Sequence, residues 1–158
     1  MKKVVISCES SSLALKEAVK KRLIDEGYEV GDVGQQVDGE PVLYFEAAEN
    51  LAKAIQSGEY ERGIAICGTG AGISMVANKF RGIYAVACES VFTAEKILLI
   101  NNANVLCMGS RVVSHDMGGE MAVKFLAEKW CDGFAPQRKA NNEKGYAVLK
   151  SLEEKFYK

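Results

Sequence analysis

The sequence predicts one α/β domain, an open sheet of five parallel strands with helices on both faces. Two observations carry this. Short apolar runs alternate five times with segments of helical spacing, and polar or glycine-bearing turns separate them. The runs are apolar on both sides, the pattern of strands covered above and below. Length and composition agree with it. A chain of 158 residues can build one domain with a sizeable core, and 48% hydrophobic with 26% charged residues suits a soluble globular protein.

Lys3 to Cys8 is the first apolar run and reads as the first strand. Met1, Lys2 and Lys3 ahead of Val4 to Ile6 look at first like the start of a signal peptide. The run stops at Ser7 and Glu9, too soon for one. Ser10, Ser11 or Ser12 can cap the helix that follows, in which Leu13, Val19 and Leu23 recur at helical spacing and Gly27 ends the segment. Tyr28 to Val33 is the second strand, and Gly34 to Pro41 is a polar loop. A helix over Leu43 to Ile55 leads to a fully apolar third strand, Gly63 to Ile66. The turn Cys67 to Gly72 opens a helix over Ile73 to Lys79, and Gly82 to Ala87 is the fourth strand. Ser90 caps a helix over Phe92 to Leu99, and Ala103 to Met108 is the fifth strand. Ser114 or Asp116 starts a helix that runs through Trp130. After a break around Gly133 and Pro136, Asn141 to Phe156 is helical again. The fold is therefore Rossmann-like, in three layers, with right-handed crossovers. A single domain spans 1–158. The tail 138–158 lies beyond the alternating pattern, where it can fold back or reach across a dimer.

Charge and cysteine usage narrow the function. The net charge is −1, which does not suggest nucleic acid or an anionic membrane as a partner. No apolar run is long enough to span a bilayer. The five cysteines form no CxxC pair or ligand-like cluster, so reduced thiols in the cytoplasm are expected. One histidine, His115, is too little for a histidine-based metal site.

The chemistry concentrates in Cys67-Gly68-Thr69-Gly70-Ala71-Gly72, directly after the third strand. Ligands of open α/β sheets bind at the carboxyl ends of the strands. Glycines there let a ligand approach the backbone, whose N–H groups can hold an anion or a developing oxyanion. A cysteine beside a helix N-terminus favours its thiolate form. The plainer reading also stands: Cys67 is a small buried hydrophobe and the glycines only turn the chain. The string has neither the GxGxxG fingerprint nor the Lys-Ser/Thr of a phosphate loop, which disfavours nucleotides. Glu9 and Ser10 end the first strand beside the third, where Glu9 can move a proton or simply start a helix. Asn101, Asn102 and Asn104 are expected near the same carboxyl edge, as sugar-hydroxyl ligands or as turn residues. Arg111 follows the fifth strand and suits phosphate, while Arg138 and Lys139 form a second basic spot that also fits a solvated pair. His115 reads as structural or exposed, and Cys88 and Cys107 as core.

The run from Cys67 to Ser74, continued by Ala77-Asn78-Lys79, resembles the central motif of the type B ribose-5-phosphate and galactose-6-phosphate isomerases. Asn104-Val105-Leu106 and Gly109-Ser110-Arg111-Val112-Val113 resemble a second block of that family, and the similarity extends from the first strand to Trp130. The resemblance implies a homodimer or homotetramer with sites between subunits. It also implies aldose–ketose isomerisation of a sugar phosphate without metal or organic cofactor. By it, Cys67 is the base that moves a proton between C1 and C2, and Thr69 assists at the sugar oxygen or in ring opening. The Gly68, Gly70, Ala71 and Gly72 backbone stabilises the enediolate, Asn101 contacts substrate, and Arg111 helps bind phosphate, in its own subunit or across the interface.

The chain departs from that pattern at three places. Cys8-Glu9-Ser10 stands for the usual Cys-Asp-His, and Ile100 stands where a ring-opening histidine is common. The stretch from Gly133 to Ala140 lacks the Gly-Gly-Arg-His block. The last two are similar to the B subunit of galactose-6-phosphate isomerase, which works with a related partner chain. The change at Glu9-Ser10 points instead to an altered substrate that needs no ring opening, such as a tetrose phosphate. Three function classes remain: an active isomerase, a noncatalytic sugar-phosphate-binding partner subunit, and a thiol hydrolase or transferase. The third needs a base near Cys67, and His115 is poorly placed in sequence to be one.

Overall fold

The computed structural model describes residues 2–157. The strands are β1 (Lys2–Cys8), β2 (Tyr28–Asp32), β3 (Gly63–Cys67), β4 (Ala85–Ala87) and β5 (Val105–Gly109). The helices are α1 (Leu13–Asp25), α2 (Tyr44–Gln56), α3 (Ala71–Ala77), α4 (Val91–Asn101), α5 (His115–Ala127) and α6 (Pro136–Phe156). All strand pairs are parallel, in the order β2-β1-β3-β5-β4. The five-stranded α/β architecture is the one the sequence predicts.

Period-two side-chain alternation divides the core into two layers. Ile6, Ile64, Ile66, Leu106 and Met108 face α1, α4 and α5, where Leu15, Val19, Leu98 and Phe125 are buried. Val5, Ala65, Val105 and Cys107 face α2 and α3, where Ala48, Leu51 and Ile73 are buried. Cys67 belongs to this second layer. The chain leaves β1 through α1 on one face and leaves β3 through α3 on the other. The crevice at the carboxyl ends of these two neighbours is therefore the switch point of the sheet.

Several boundaries differ from expectation. β4 begins at Ala85 rather than Gly82, because side chains take over the backbone partners before it. Asn104 Oδ1 accepts the Tyr84 N–H at 2.8 Å, and Asn104 Nδ2 donates to the Gly82 carbonyl at 2.7 Å. α5 stops at Ala127 rather than Trp130. Glu128 is extended, and the Arg62 guanidinium donates to the Leu126 and Glu128 carbonyls. α6 starts at Pro136, well before Asn141, with the proline in its first turn, where the missing N–H needs no partner. Ser10–Ser12 form one 3₁₀ turn, and none of these serines caps α1 through its side chain. Ser90 and Ser114 do cap α4 and α5, accepting the Thr93 and Met117 N–H groups.

Candidate active site

Three strand exits meet at the crevice. β3 ends in Cys67, which is 4% exposed, and the Gly70 N–H donates to its Sγ at 3.1 Å. Gly70 has φ +80°, a conformation that favours glycine, and it starts α3. The turn lies flat on the end of β5. A Cβ on Gly109 would stand 2.6 Å from the carbonyl carbon of Thr69. Two backbone bonds fasten the layers: Ser110 N–H donates to the Cys67 carbonyl at 2.9 Å and Arg111 N–H to the Gly68 carbonyl at 3.0 Å. Thr69 is exposed, and its Oγ1 accepts the Ala71 N–H at 3.3 Å. Two of the N–H groups offered by the sequence for an oxyanion are thus engaged within the turn.

The exit of β1 supplies the other wall. Glu9 N–H donates to the Ile66 carbonyl at 3.1 Å and Ser10 N–H to the Val42 carbonyl at 2.9 Å. The Ser11 hydroxyl donates to Glu9 Oε1 at 2.9 Å and holds the carboxylate in place. A Cβ on Gly68 would touch Glu9 Oε1 at 3.6 Å and Arg111 Nε at 3.7 Å, so a carboxylate and a guanidinium flank the same glycine. Across the crevice, the Tyr44 ring rests against Gly72, 3.1 Å from where a Cβ there would stand.

Three other cysteines lie in or directly after strands, Cys8 in β1, Cys88 after β4 and Cys107 in β5. Burial pushes the Cys8 and Cys88 thiols up to about 11, and burial lifts the Cys107 thiol well above the ordinary range. These are inert core groups at neutral pH.

A protein-family model described as Ribose/Galactose Isomerase matches residues 4–142. The chain belongs to that family. A 4-deoxy-4-sulfo-D-erythrose isomerase of a Clostridium species is 42% identical over 156 residues, covering 99% of this chain and 98% of the relative. The D-erythrulose-4-phosphate isomerase of Pectobacterium atrosepticum is 36% identical over 138 residues, covering 87% and 91%. Among solved structures, the ribose-5-phosphate isomerase B of Clostridium thermocellum superposes with a TM-score of 0.86 at 32% identity, covering 98% and 99%. This isomerase-family chain is an enzyme of the sugar-phosphate aldose–ketose isomerase class.

In this member of the family, Cys67, Gly68, Thr69, Gly70, Ala71, Gly72, Glu9, Ser10 and Arg111 gather at one sheet edge. The asparagines do not, which corrects their expected position. α4 returns the chain to the amino edge of the sheet, so Asn101 to Asn104 stand at the wrong end of β5. The Asn104 carbonyl accepts the N–H of Gly63, the first residue of β3. Four residue steps along β3, about 13 Å at the usual rise, separate that level from Cys67. Asn104 is structural there.

Arg138 and Lys139 also lie apart from Cys67. The guanidinium of Arg138 stacks on the Phe134 ring at 3.9 Å, and Lys139 pairs with Glu143 at 3.9 Å. The segment leading to them is tied to the end of α4, where Cys131 N–H donates to the Leu99 carbonyl and the Trp130 indole to the Ile100 carbonyl. His115 is exposed at the start of α5, in a groove with Lys21, Arg22 and Asp25. Sequence reasoning missed Ser11 and Tyr44. The signal for Tyr44 was positional, because the loop Gly34 to Pro41 leaves a strand at the carboxyl edge beside β1.

Among the described residues, no helix is long and apolar enough to cross a membrane.

Proposed function

We propose that this chain interconverts a four-carbon aldose and its ketose, with an anionic group on C4 of the substrate. The observation that carries the reading is that the site contains no histidine to open a sugar ring. The only one in the chain sits in the α1–α5 groove, and Ile100 and Ser10 occupy the other candidate positions. A four-carbon aldose substituted at O4 or C4 has no hydroxyl left to close a five-membered ring, so it needs no opening step. The Clostridium and Pectobacterium relatives carry four-carbon substrates in their names.

In the proposed reaction the Cys67 thiolate removes the proton from C2 of the aldose and returns it to C1. The Thr69 hydroxyl moves a proton between the two oxygens, and the Gly68 to Gly72 backbone faces the enediolate. Arg111 binds the terminal anion. Glu9 and Ser10 border the substrate at the β1 exit.

The enzyme works as a dimer or a higher oligomer. Two observations support this. α6 presents Val148, Leu149, Leu152 and Phe156 to solvent, with Phe156 at 67% exposure. Asn101, Arg138 and Lys139 can meet a Cys67 site only on a second chain. The tail 138–158 then carries the subunit contact, with an identical or a related chain.

The test is kcat/KM of the purified chain on aldose phosphates of four, five and six carbons and on the four-carbon sulfonate, with light scattering on the same sample. Four-carbon substrates should rank first, and the active species should be larger than a monomer. Faster turnover of a ring-forming pentose or hexose phosphate by this chain alone would overturn the reading.

A further inference from the structure

The charge pattern beside Gly68 carries one step more, which rests on the four-carbon reading. The geometry points to Glu9 as a selector of anion charge: it favours a terminal group with one negative charge, a sulfonate, over a phosphate monoester with two.

The argument is electrostatic. Glu9 Oε1 and Arg111 Nε each stand within 3.7 Å of one point beside Gly68. The two charged groups are therefore no more than about 7 Å apart, and an anion at that point feels both. Among the described residues neither group takes part in a salt bridge. The Ser11 hydroxyl donates to Glu9 Oε1 at 2.9 Å and favours the position of the carboxylate beside Gly68. The titratable or charged side chains around the turn include Glu9 from the β1 exit, Cys67 from β3, Tyr44 from α2 and Arg111 from the β5 exit.

An anion held by Arg111 meets one positive and one negative fixed charge. A sulfonate brings a single charge at any pH of interest. A phosphate monoester loses its second proton near pH 6 and then brings almost two. At the point beside Gly68, almost equidistant from the two groups, the repulsion of Glu9 offsets the attraction of Arg111 for the second charge. A site that selected dianions would carry a second cation where Glu9 stands.

The experiment compares erythrose 4-phosphate with 4-deoxy-4-sulfo-erythrose, which share the carbon chain and differ in terminal charge. The readout is the ratio of their kcat/KM values, in which titration of the enzyme itself cancels. In the wild-type enzyme the phosphate-to-sulfonate ratio should fall about tenfold from about pH 5 to about pH 8, following loss of the phosphate's second proton. Glu9→Gln should raise the ratio at the upper pH by about the same factor. The wild-type profile decides the matter alone if the variant does not turn over. A ratio that stays flat or rises with pH, with both substrates active, would overturn the selector role and leave the four-carbon reading intact. If neither four-carbon substrate reacts while a longer sugar phosphate does, the four-carbon reading fails and this inference with it.

Discussion

Gly109→Ala tests the seam between β5 and the turn after Cys67. The new methyl group would stand 2.6 Å from the Thr69 carbonyl carbon, 2.7 Å from its Cα and 2.8 Å from its oxygen. All three atoms are backbone, so no side chain can rotate aside. Ordinary contact begins beyond 3.4 Å, and the turn must therefore rise from β5 by most of an ångström. Two bonds oppose that shift, Ser110 N–H to the Cys67 carbonyl and Arg111 N–H to the Gly68 carbonyl. Forcing extra volume into a packed site costs about 1–3 kcal/mol, which lowers Tm by about 2–4 °C per kcal/mol in a chain of this size. Activity should suffer more than stability. Misplacement of a reacting group by about 1 Å can cost about 100-fold in rate. Thermal unfolding and steady-state kinetics on the same preparation provide the check, and a Gly109→Ala protein with native kcat would refute the account of the seam.

Cys67→Ser keeps the shape of the turn and removes the proposed base. It should fold and bind substrate yet lose roughly 100-fold or more in kcat, and solvent deuterium should stop entering the substrate carbon. Native-rate exchange in that variant would move the role to Glu9. Lys16→Met removes a fully buried ammonium from Asp32, which it contacts at 2.7 Å, while Lys20 stays at 2.8 Å. Breaking a buried pair costs about 3–5 kcal/mol, and Lys20 keeps this case near the lower figure. The acid limb should change too. Burial opposes ionisation of Asp32, but Lys16 and Lys20 outweigh it and hold the carboxyl below its ordinary 3.8. A depressed acid stabilises the fold above its unfolded value, and the gain is lost as pH falls through the folded value. In Lys16→Met, denaturation midpoints should therefore vary less with pH below 3.8 than in the parent.

The sheet was legible because its central strands are short, apolar on both faces and separated by helical segments, two of them with caps readable at Ser90 and Ser114. Ile64 to Ile66 and Leu106 to Met108 permit little else. The turn was legible because glycines crowd behind Cys67. The asparagines were misplaced because sequence proximity to a strand does not say which end of it a residue occupies. Whatever precedes a parallel strand lies at its amino edge, so Asn101 to Asn104 could never share an edge with Cys67 within one chain. The early end of α5 was illegible for another reason. It depends on Arg62, more than sixty residues away in sequence, and no local pattern encodes that partner.

The buried charges under β2 show how the β1 exit is held. Lys16 lies in the core of α1 and donates both to Asp32 and to the Gln35 carbonyl. Gln35 is itself buried, and its side chain donates to the Gly39 carbonyl at 3.1 Å and accepts the Val42 N–H at 2.8 Å. Val42 in turn accepts the Ser10 N–H. An unbroken series of hydrogen bonds therefore links a core lysine to the residue beside Glu9. Apolar residues of equal volume would serve stability at least as well as this ion pair. They could not hold the backbone of a polar loop, whose N–H and carbonyl groups need partners once buried. The cluster thus trades some stability for a fixed position of loop 34–42, and through Ser10 and Tyr44 that loop shapes two walls of the crevice.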